Sequence, residues 1–97
     1  MSILVLVQAK IKTDSTSKFN SYLAEILPDT RAFDGCNLID LYSETNKENN
    51  IVLVENWDSR EHYNKYHTWR TKTGVIDKIR IMIDGTASIK FFKIIDA

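Results

Sequence analysis

The sequence predicts an α+β fold, a ferredoxin-like β-α-β-β-α-β plait with an antiparallel sheet and a short extra helix before the last strand. Three observations predict it. Four segments alternate or run apolar at strand length, and an amphipathic helical pattern separates the first from the second and the third from the fourth. At 97 residues the chain has room for one domain, 1–97, because half of it could not bury a workable core.

The first strand covers residues 3–12, where Ile3, Val5, Val7, Ala9 and Ile11 alternate with Leu4, Leu6, Gln8, Lys10 and Lys12. β-Branched residues at period two fit a pleated surface. The first half is apolar on both sides, so both sides are expected to be buried there, whereas the second half has one wet side. Thr13-Asp14-Ser15-Thr16 supplies side-chain oxygens that can accept the free amides of a first helical turn. Phe19, Tyr22, Leu23, Ile26 and Leu27 then form one helical stripe. Pro28 lacks an amide and disfavours helix at Leu27, which predicts a kink or break. Asp34-Gly35 reads as the closing turn.

Residues 37–43 form the second strand, with Ile39 and Leu41 on one side and Leu38 and Tyr42 on the other. The polar run Glu44 to Asn50 is expected to be an exposed hairpin loop, and residues 51–57 the antiparallel third strand. Asp58 or Ser59 caps the second helix, which carries Glu61 early, reaches about Lys72 and stops at Gly74. Val75, Ile76, Ile79 and Ile83 mark the short helix, ended by Asp84-Gly85, and residues 87–95 the last strand. Helices on one side of such an open sheet leave its other side to be covered. Two copies packed sheet to sheet would cover it, so a homodimer is expected.

Thirteen Lys and Arg balance thirteen Asp and Glu. No basic stripe concentrates positive charge, which argues against nucleic acid as a partner. The apolar start is too short for a membrane span and lacks the features of a signal peptide, so no membrane is expected and the location is expected to be cytoplasmic. Cys36 is the single cysteine, which excludes an intramolecular disulfide and a cysteine-based metal cage. No Gly-rich phosphate loop or ligand-spaced histidine pair is present, and no metal or cofactor is expected.

Four segments carry a resemblance. Thr30-Arg31-Ala32-Phe33-Asp34-Gly35-Cys36 is similar to the TRAEPGC turn of antibiotic-biosynthesis-monooxygenase proteins. Glu55-Asn56-Trp57-Asp58-Ser59-Arg60-Glu61 resembles that family's ExWxSxEA stretch. Trp69-Arg70-Thr71-Lys72-Thr73-Gly74 resembles the WRTExG run of one subgroup, and Ser88-Ile89-Lys90-Phe91-Phe92 that subgroup's last strand. The resemblance covers nearly the whole chain. It implies a dimeric α+β barrel with a pocket between sheet and helices, and members that oxygenate phenols and quinols without a cofactor, cleave haem, or isomerise or degrade signalling sugars. This chain departs from the pattern in places. Tyr66 stands where many relatives have histidine, with His67 next along, and Leu53 stands where the phenol oxygenase has an amide. The asparagine and the tryptophan–histidine spacing of the haem-cleaving branch are also missing.

Oxidation without a cofactor needs a site that binds an aromatic ring, moves a proton and stabilises an anion. The resemblance implies stacking on Trp57 and a hydrogen bond from Tyr63. On the second helix Tyr63, Tyr66, His67 and Arg70 share one side, with His62, Tyr66, Trp69 and Thr73 on the neighbouring stripe. The expected catalytic residues are His67, Tyr63 and Trp57, with His67 or His62 as base. The expected substrate-binding residues are Tyr66, Trp69, Arg70 and Asn56, although Asn56 alternates to the other side of the strand from Trp57. Core packing is the competing role for the aromatic residues, a surface or capping role for the histidines, and ion pairing for Arg70. Glu55 is expected to form a structural ion pair, within the chain or across the dimer, and Cys36 to be an inert thiol. The expected function is a cofactor-independent monooxygenase of a quinol or phenol, using molecular oxygen. The alternatives are a small-metabolite binding module and an isomerase of a small carbonyl compound.

Overall fold

Alternation along the strands sorts their side chains, and the sheet topology follows from which side each must bury. The computed structural model describes residues 2–97; Met1, the first residue of the expected domain, lies outside them. The elements are β1 (Ile3–Lys10), α1 (Thr16–Arg31), β2 (Cys36–Glu44), β3 (Lys47–Trp57), α2 (Arg60–Lys72), α3 (Val75–Arg80) and β4 (Ser88–Lys93). This is the predicted order, short helix included. The strands form one open antiparallel sheet in the order β2-β3-β1-β4.

Val5, Ile39, Glu55 and Phe91 stand side by side across the sheet, on the side that carries the helices. A first core joins Ile11, Phe19, Leu23, Ile26, Leu27, Ile39 and Ile51 to Val75 and Met82. A second gathers Val5, Trp57, Tyr63 and Tyr66, with Phe33, Trp69 and Phe91 against it. Leu4, Leu6, Val52, Val54, Leu38, Tyr42 and Phe92 point the other way by the same alternation. Of these, Leu4, Leu38, Tyr42 and Phe92 are exposed in the single chain. The first half of β1 is therefore buried on one side only by its own chain, because no helix reaches the other.

Several local expectations are corrected. α1 runs through Pro28 to Arg31 without a break. Burial of Phe19, Leu23, Ile26, Leu27 and Thr30 along one side outweighs an interior proline penalty of about 3 kcal/mol. The N-cap of α1 is Ser15, and its side chain accepts no capping bond; the turn closes through the backbone instead, from Ser15 N–H to Lys12 O at 2.9 Å. The expected loop of residues 44–50 is mostly strand, because cross-strand pairing satisfies the backbone of a polar edge as well as water does. Only Thr45 and Asn46 turn, and Asn50 Nδ2 donates to Glu44 Oε1 at 3.2 Å. β1 ends at Lys10, with Ile11 bridging Ile83, and β4 spans Ser88–Lys93, leaving Ile94 and Ile95 exposed beyond it.

Two capping groups fix the frame of the site. Ser59, not Asp58, caps α2: its Oγ accepts from His62 N–H at 3.1 Å and lies 2.6 Å from His62 Nδ1. Gly35 has φ +90°, and a Cβ there would lie 2.5 Å from the His62 ring. Its carbonyl accepts from Asp58 N–H at 2.8 Å. Glycine is required on both conformational and steric grounds, and the turn after α1 is thereby tied to the start of α2. His62 is a frame residue, 3.8 Å from Asp34.

Candidate functional site

Between the helix-bearing side of the sheet and the three helices lies a cavity of about 420 Å³. Val7 and Ala9 of β1, Phe19, Leu23, Ile26 and Leu27 of α1, Ile51 and Leu53 of β3, and Val75 and Ile79 of α3 give it aliphatic and aromatic walls. Its polar groups come chiefly from two elements. β3 contributes Glu55, and α2 contributes Tyr63, Tyr66, His67 and Arg70. The helical spacing of those four residues thus brings all of them to one space, as expected.

Arg70 is 4% exposed. Its Nε donates to Tyr66 Oη at 3.0 Å, and its Nη2 donates to Ile26 O at 2.7 Å and to Thr30 Oγ1 at 2.9 Å. Thr30 Oγ1 and Tyr66 Oη are themselves 2.7 Å apart. The guanidinium also lies 4.3 Å from the Trp69 ring centre. No carboxylate pairs with it among the described residues. The site thus holds a buried cation whose charge the protein does not neutralise.

Glu55 is 3% exposed. No cation of its own chain pairs with it among the described residues, and its strand neighbours Val5 and Ile39 are apolar. Instead Trp57 Nε1 donates to Oε1 at 2.9 Å. Burial pushes the carboxyl up to about 7, and the Trp57 bond offsets only part of that. Burial also raises Tyr63, with the Glu55 and Tyr66 charges adding to it, so its hydroxyl remains a donor at neutral pH. Tyr66 is raised by burial as well, against the opposing bonds from Thr30 and Arg70.

Among the described residues, every fully buried side-chain nitrogen or oxygen has a hydrogen-bond partner. Glu55 Oε2, Arg70 Nη1 and Tyr63 Oη have none among these residues, so each is accessible. Glu55 and Arg70 open to the cavity, and Tyr63 and His67 border both it and a neighbouring groove with Arg60 and Phe91. An acid, a cation and a phenol therefore meet a largely apolar space, whose lining also includes Arg80 and Thr86.

Three predicted residues lie elsewhere. Trp57 is completely buried, its ring 4.9 Å from Tyr66 and 5.9 Å from Tyr63, and it does not line the cavity. A strand-end indole in this position is enclosed by the rings of α2, so no flat side is open to a ligand. Trp69 stacks on Phe33 at 5.3 Å and 27°, behind Arg70. Asn56 is on the opposite side of the sheet, where its Oδ1 accepts from Asn37 Nδ2 at 3.0 Å. Sequence reasoning missed Thr30 and Phe33, the first of which is wholly buried against Arg70 and Tyr66. Cys36 is half-buried, and burial first, then the Glu55 charge, pushes its thiol up, as suits an inert cysteine.

No helix among the described residues is long and apolar enough to cross a membrane. No group of three or more His, Cys, Asp or Glu side chains among them is placed to hold a metal ion. The family model for antibiotic biosynthesis monooxygenase matches residues 2–70. Among solved structures, a conserved protein from Methanosarcina mazei Go1 is similar with a TM-score of 0.89 at 14% identity, over 96% of this chain and 92% of that one. Rv0793 from Mycobacterium tuberculosis is similar with a TM-score of 0.87 at 20% identity, over 100% and 98%. SnoaB from Streptomyces nogalater, a cofactor-independent oxygenase solved as an asparagine-to-alanine variant, gives 0.85 at 14% identity, over 99% and 95%. These likenesses establish the fold. No curated protein sequence matches the chain at a significant level.

Proposed function

Because this chain belongs to the antibiotic biosynthesis monooxygenase family, we propose that it is a cofactor-independent monooxygenase of a quinol or related phenolic compound. One observation carries the reading. An apolar cavity of about 420 Å³ holds the uncompensated Arg70 guanidinium together with the Tyr63 hydroxyl and the His67 imidazole. Such a volume suits a small ring system, and a buried cation without its own anion favours a ligand that supplies one. The chemistry balances without a reductant. A hydroquinone and O2 give a hydroxyquinone and water: one oxygen atom replaces a ring hydrogen, the other leaves as water, and the substrate supplies all four electrons.

In this reading the substrate reacts as its anion, which transfers an electron to oxygen more readily than the neutral phenol. Arg70 Nη1 and Tyr63 Oη donate to the phenolate oxygen, and His67 lies at the border with the outer groove. Trp57 supports the site from behind. The test is oxygen consumption by metal-stripped protein with a panel of hydroquinones, protein-free autoxidation being subtracted. Saturable uptake that falls by about tenfold or more in Tyr63→Phe, with one labelled oxygen atom in the product, is the expected result. Uptake no faster than the blank across the panel would overturn the reading.

The reading includes a second copy of the chain. The exposed Leu4, Leu38, Tyr42 and Phe92 share the uncovered side of the sheet with half-buried Leu6, Val52 and Val54, an apolar surface of the kind that marks an interface. Light scattering should report twice the 11.2 kDa chain mass, and Leu38→Lys should halve that value. A single-chain mass for the unmodified protein at micromolar concentration would overturn the dimer. A cytoplasmic location belongs to the same proposal and rests on a composition that carries one cysteine and so no intramolecular disulfide framework.

A further inference from the structure

A carboxyl in a cavity wall is costly to keep when nothing neutralises it. Glu55 occupies such a place, between Val5 and Ile39 on the sheet, where an apolar residue would satisfy packing alone. Its two oxygens are unequal. Oε1 is held by the Trp57 indole at 2.9 Å, and Oε2, on a side chain that lines the cavity, has no partner among the described residues. Fixing one oxygen from behind and leaving the other free is how a base is oriented toward a substrate. His67 lacks this: no side-chain hydrogen bond selects its tautomer among the described residues, and it borders the outer groove.

We propose that Glu55 is the general base of this site, with Trp57 as its positioning residue and Arg70 Nη1 facing the anion that results. This rests on the reading of the substrate as an ionisable ring compound. The acidic O–H or C–H bond of the substrate breaks, and its proton forms an O–H bond with Oε2. The electron pair stays on the substrate as phenolate or enolate. Negative charge moves from Glu55 to the ligand, so the total charge of the cavity is unchanged, which keeps the transfer inexpensive in a space of low polarity. A carboxyl near 7 is present in both protonation states at neutral pH and can be recycled. The ionisable groups around it are Cys36 from β2, Tyr63, Tyr66, His67 and Arg70 from α2, and Arg80 from α3.

Proton removal can be separated from oxygen chemistry. Under anaerobic conditions in D2O, the protein should catalyse hydrogen–deuterium exchange into 2-tetralone, a bicyclic carbon acid, with a rate that rises with pH and levels off above about 7. Glu55→Gln should lower that exchange by about 10²-fold or more while 2-naphthol still binds by fluorescence titration. Trp57→Phe should keep the exchange but move its midpoint upward, because the bond that lowers the Glu55 pKa is gone, and His67→Ala should leave the pH dependence in place. Wild-type exchange that is lost in Glu55→Gln, without oxygen uptake on the hydroquinone panel, would sink the oxygenase reading and sustain Glu55. Full exchange in Glu55→Gln, loss of the pH dependence in His67→Ala, or no wild-type exchange would overturn the Glu55 assignment. Glu55→Asp, which keeps the carboxyl on a shorter arm, should retain part of the exchange and guards against a folding defect in Glu55→Gln.

Discussion

Arg70→Met should lower kcat/KM for the phenolic substrate by about 10²- to 10³-fold and change the stability of the fold by less than about 1 kcal/mol. The first half follows from Nη1, which has no partner among the described residues, on the one arginine that α2 brings to the cavity wall. The second half follows from what Arg70 leaves behind. Thr30 Oγ1 and Tyr66 Oη remain 2.7 Å apart and satisfy each other, and Ile26 O retains its helix bond and the Thr30 hydroxyl at 3.5 Å. Methionine fills most of the volume of the arginine stem, and a buried charge with no counter-ion is removed. Steady-state oxygen uptake and urea denaturation of the same preparation check the two halves together. Activity that falls only as far as stability falls would make Arg70 a structural residue. Arg70→Lys should not restore the rate, since a single ammonium cannot bond Tyr66, Thr30 and Ile26 while presenting a free donor.

The α2 stripe was legible because helical geometry alone decides it. Tyr63, Tyr66, His67 and Arg70 recur at i, i+3, i+4 and i+7, and a cavity on that side must meet all four. Strand alternation was equally plain, and the period of two by itself puts Asn56 and Trp57 on opposite sides of the sheet. Trp57 was harder. Alternation gives the side of the sheet but not the depth, and the indole is closed off by Tyr63, Tyr66 and Phe33, none of which its own strand can announce. The Phe33 ring comes from a loop held in place by Gly35 and His62, a contact 27 residues apart in sequence that no local pattern encodes.

Glu55 shows the same limit from the other side. A lone carboxylate on an apolar strand is visible in the sequence, and pairing is the common way to bury a charge. What the sequence does not contain is the absence of a nearby cation, which depends on three helices packing over the strand with only Arg70 and Arg80 turned toward the cavity. Pro28 failed as a helix breaker for a related reason. Its local penalty is fixed, but the burial of Leu23, Ile26, Leu27 and Thr30 on the same helix is a tertiary quantity.

Glu55→Gln should make the fold more stable than the wild type at neutral and alkaline pH, by about 3 kcal/mol at most. The carboxyl is raised from an ordinary 4.5 to about 7 in the folded protein. Below about pH 4.5 it is protonated in both the folded and the unfolded chain, so it contributes no difference. As pH rises through the window from 4.5 to 7, the unfolded chain releases its proton while the folded one retains it. The folded state then binds more protons, and stability falls with pH. Above about 7 both forms are ionised and the full penalty of a buried, unpaired carboxylate is present. Glutamine can still accept from Trp57 Nε1 and carries no charge to desolvate, so its stability curve should lack this fall. Denaturation of the two proteins at about pH 4 and about pH 8 isolates the effect, because other titrating groups cancel in the comparison. Curves that stay parallel would mean that Glu55 is not perturbed by burial, and would remove the reason for expecting its recycling near neutrality. Diverging curves, with exchange lost in the same variant, would mean that the chain retains a destabilising carboxyl for the proton it removes.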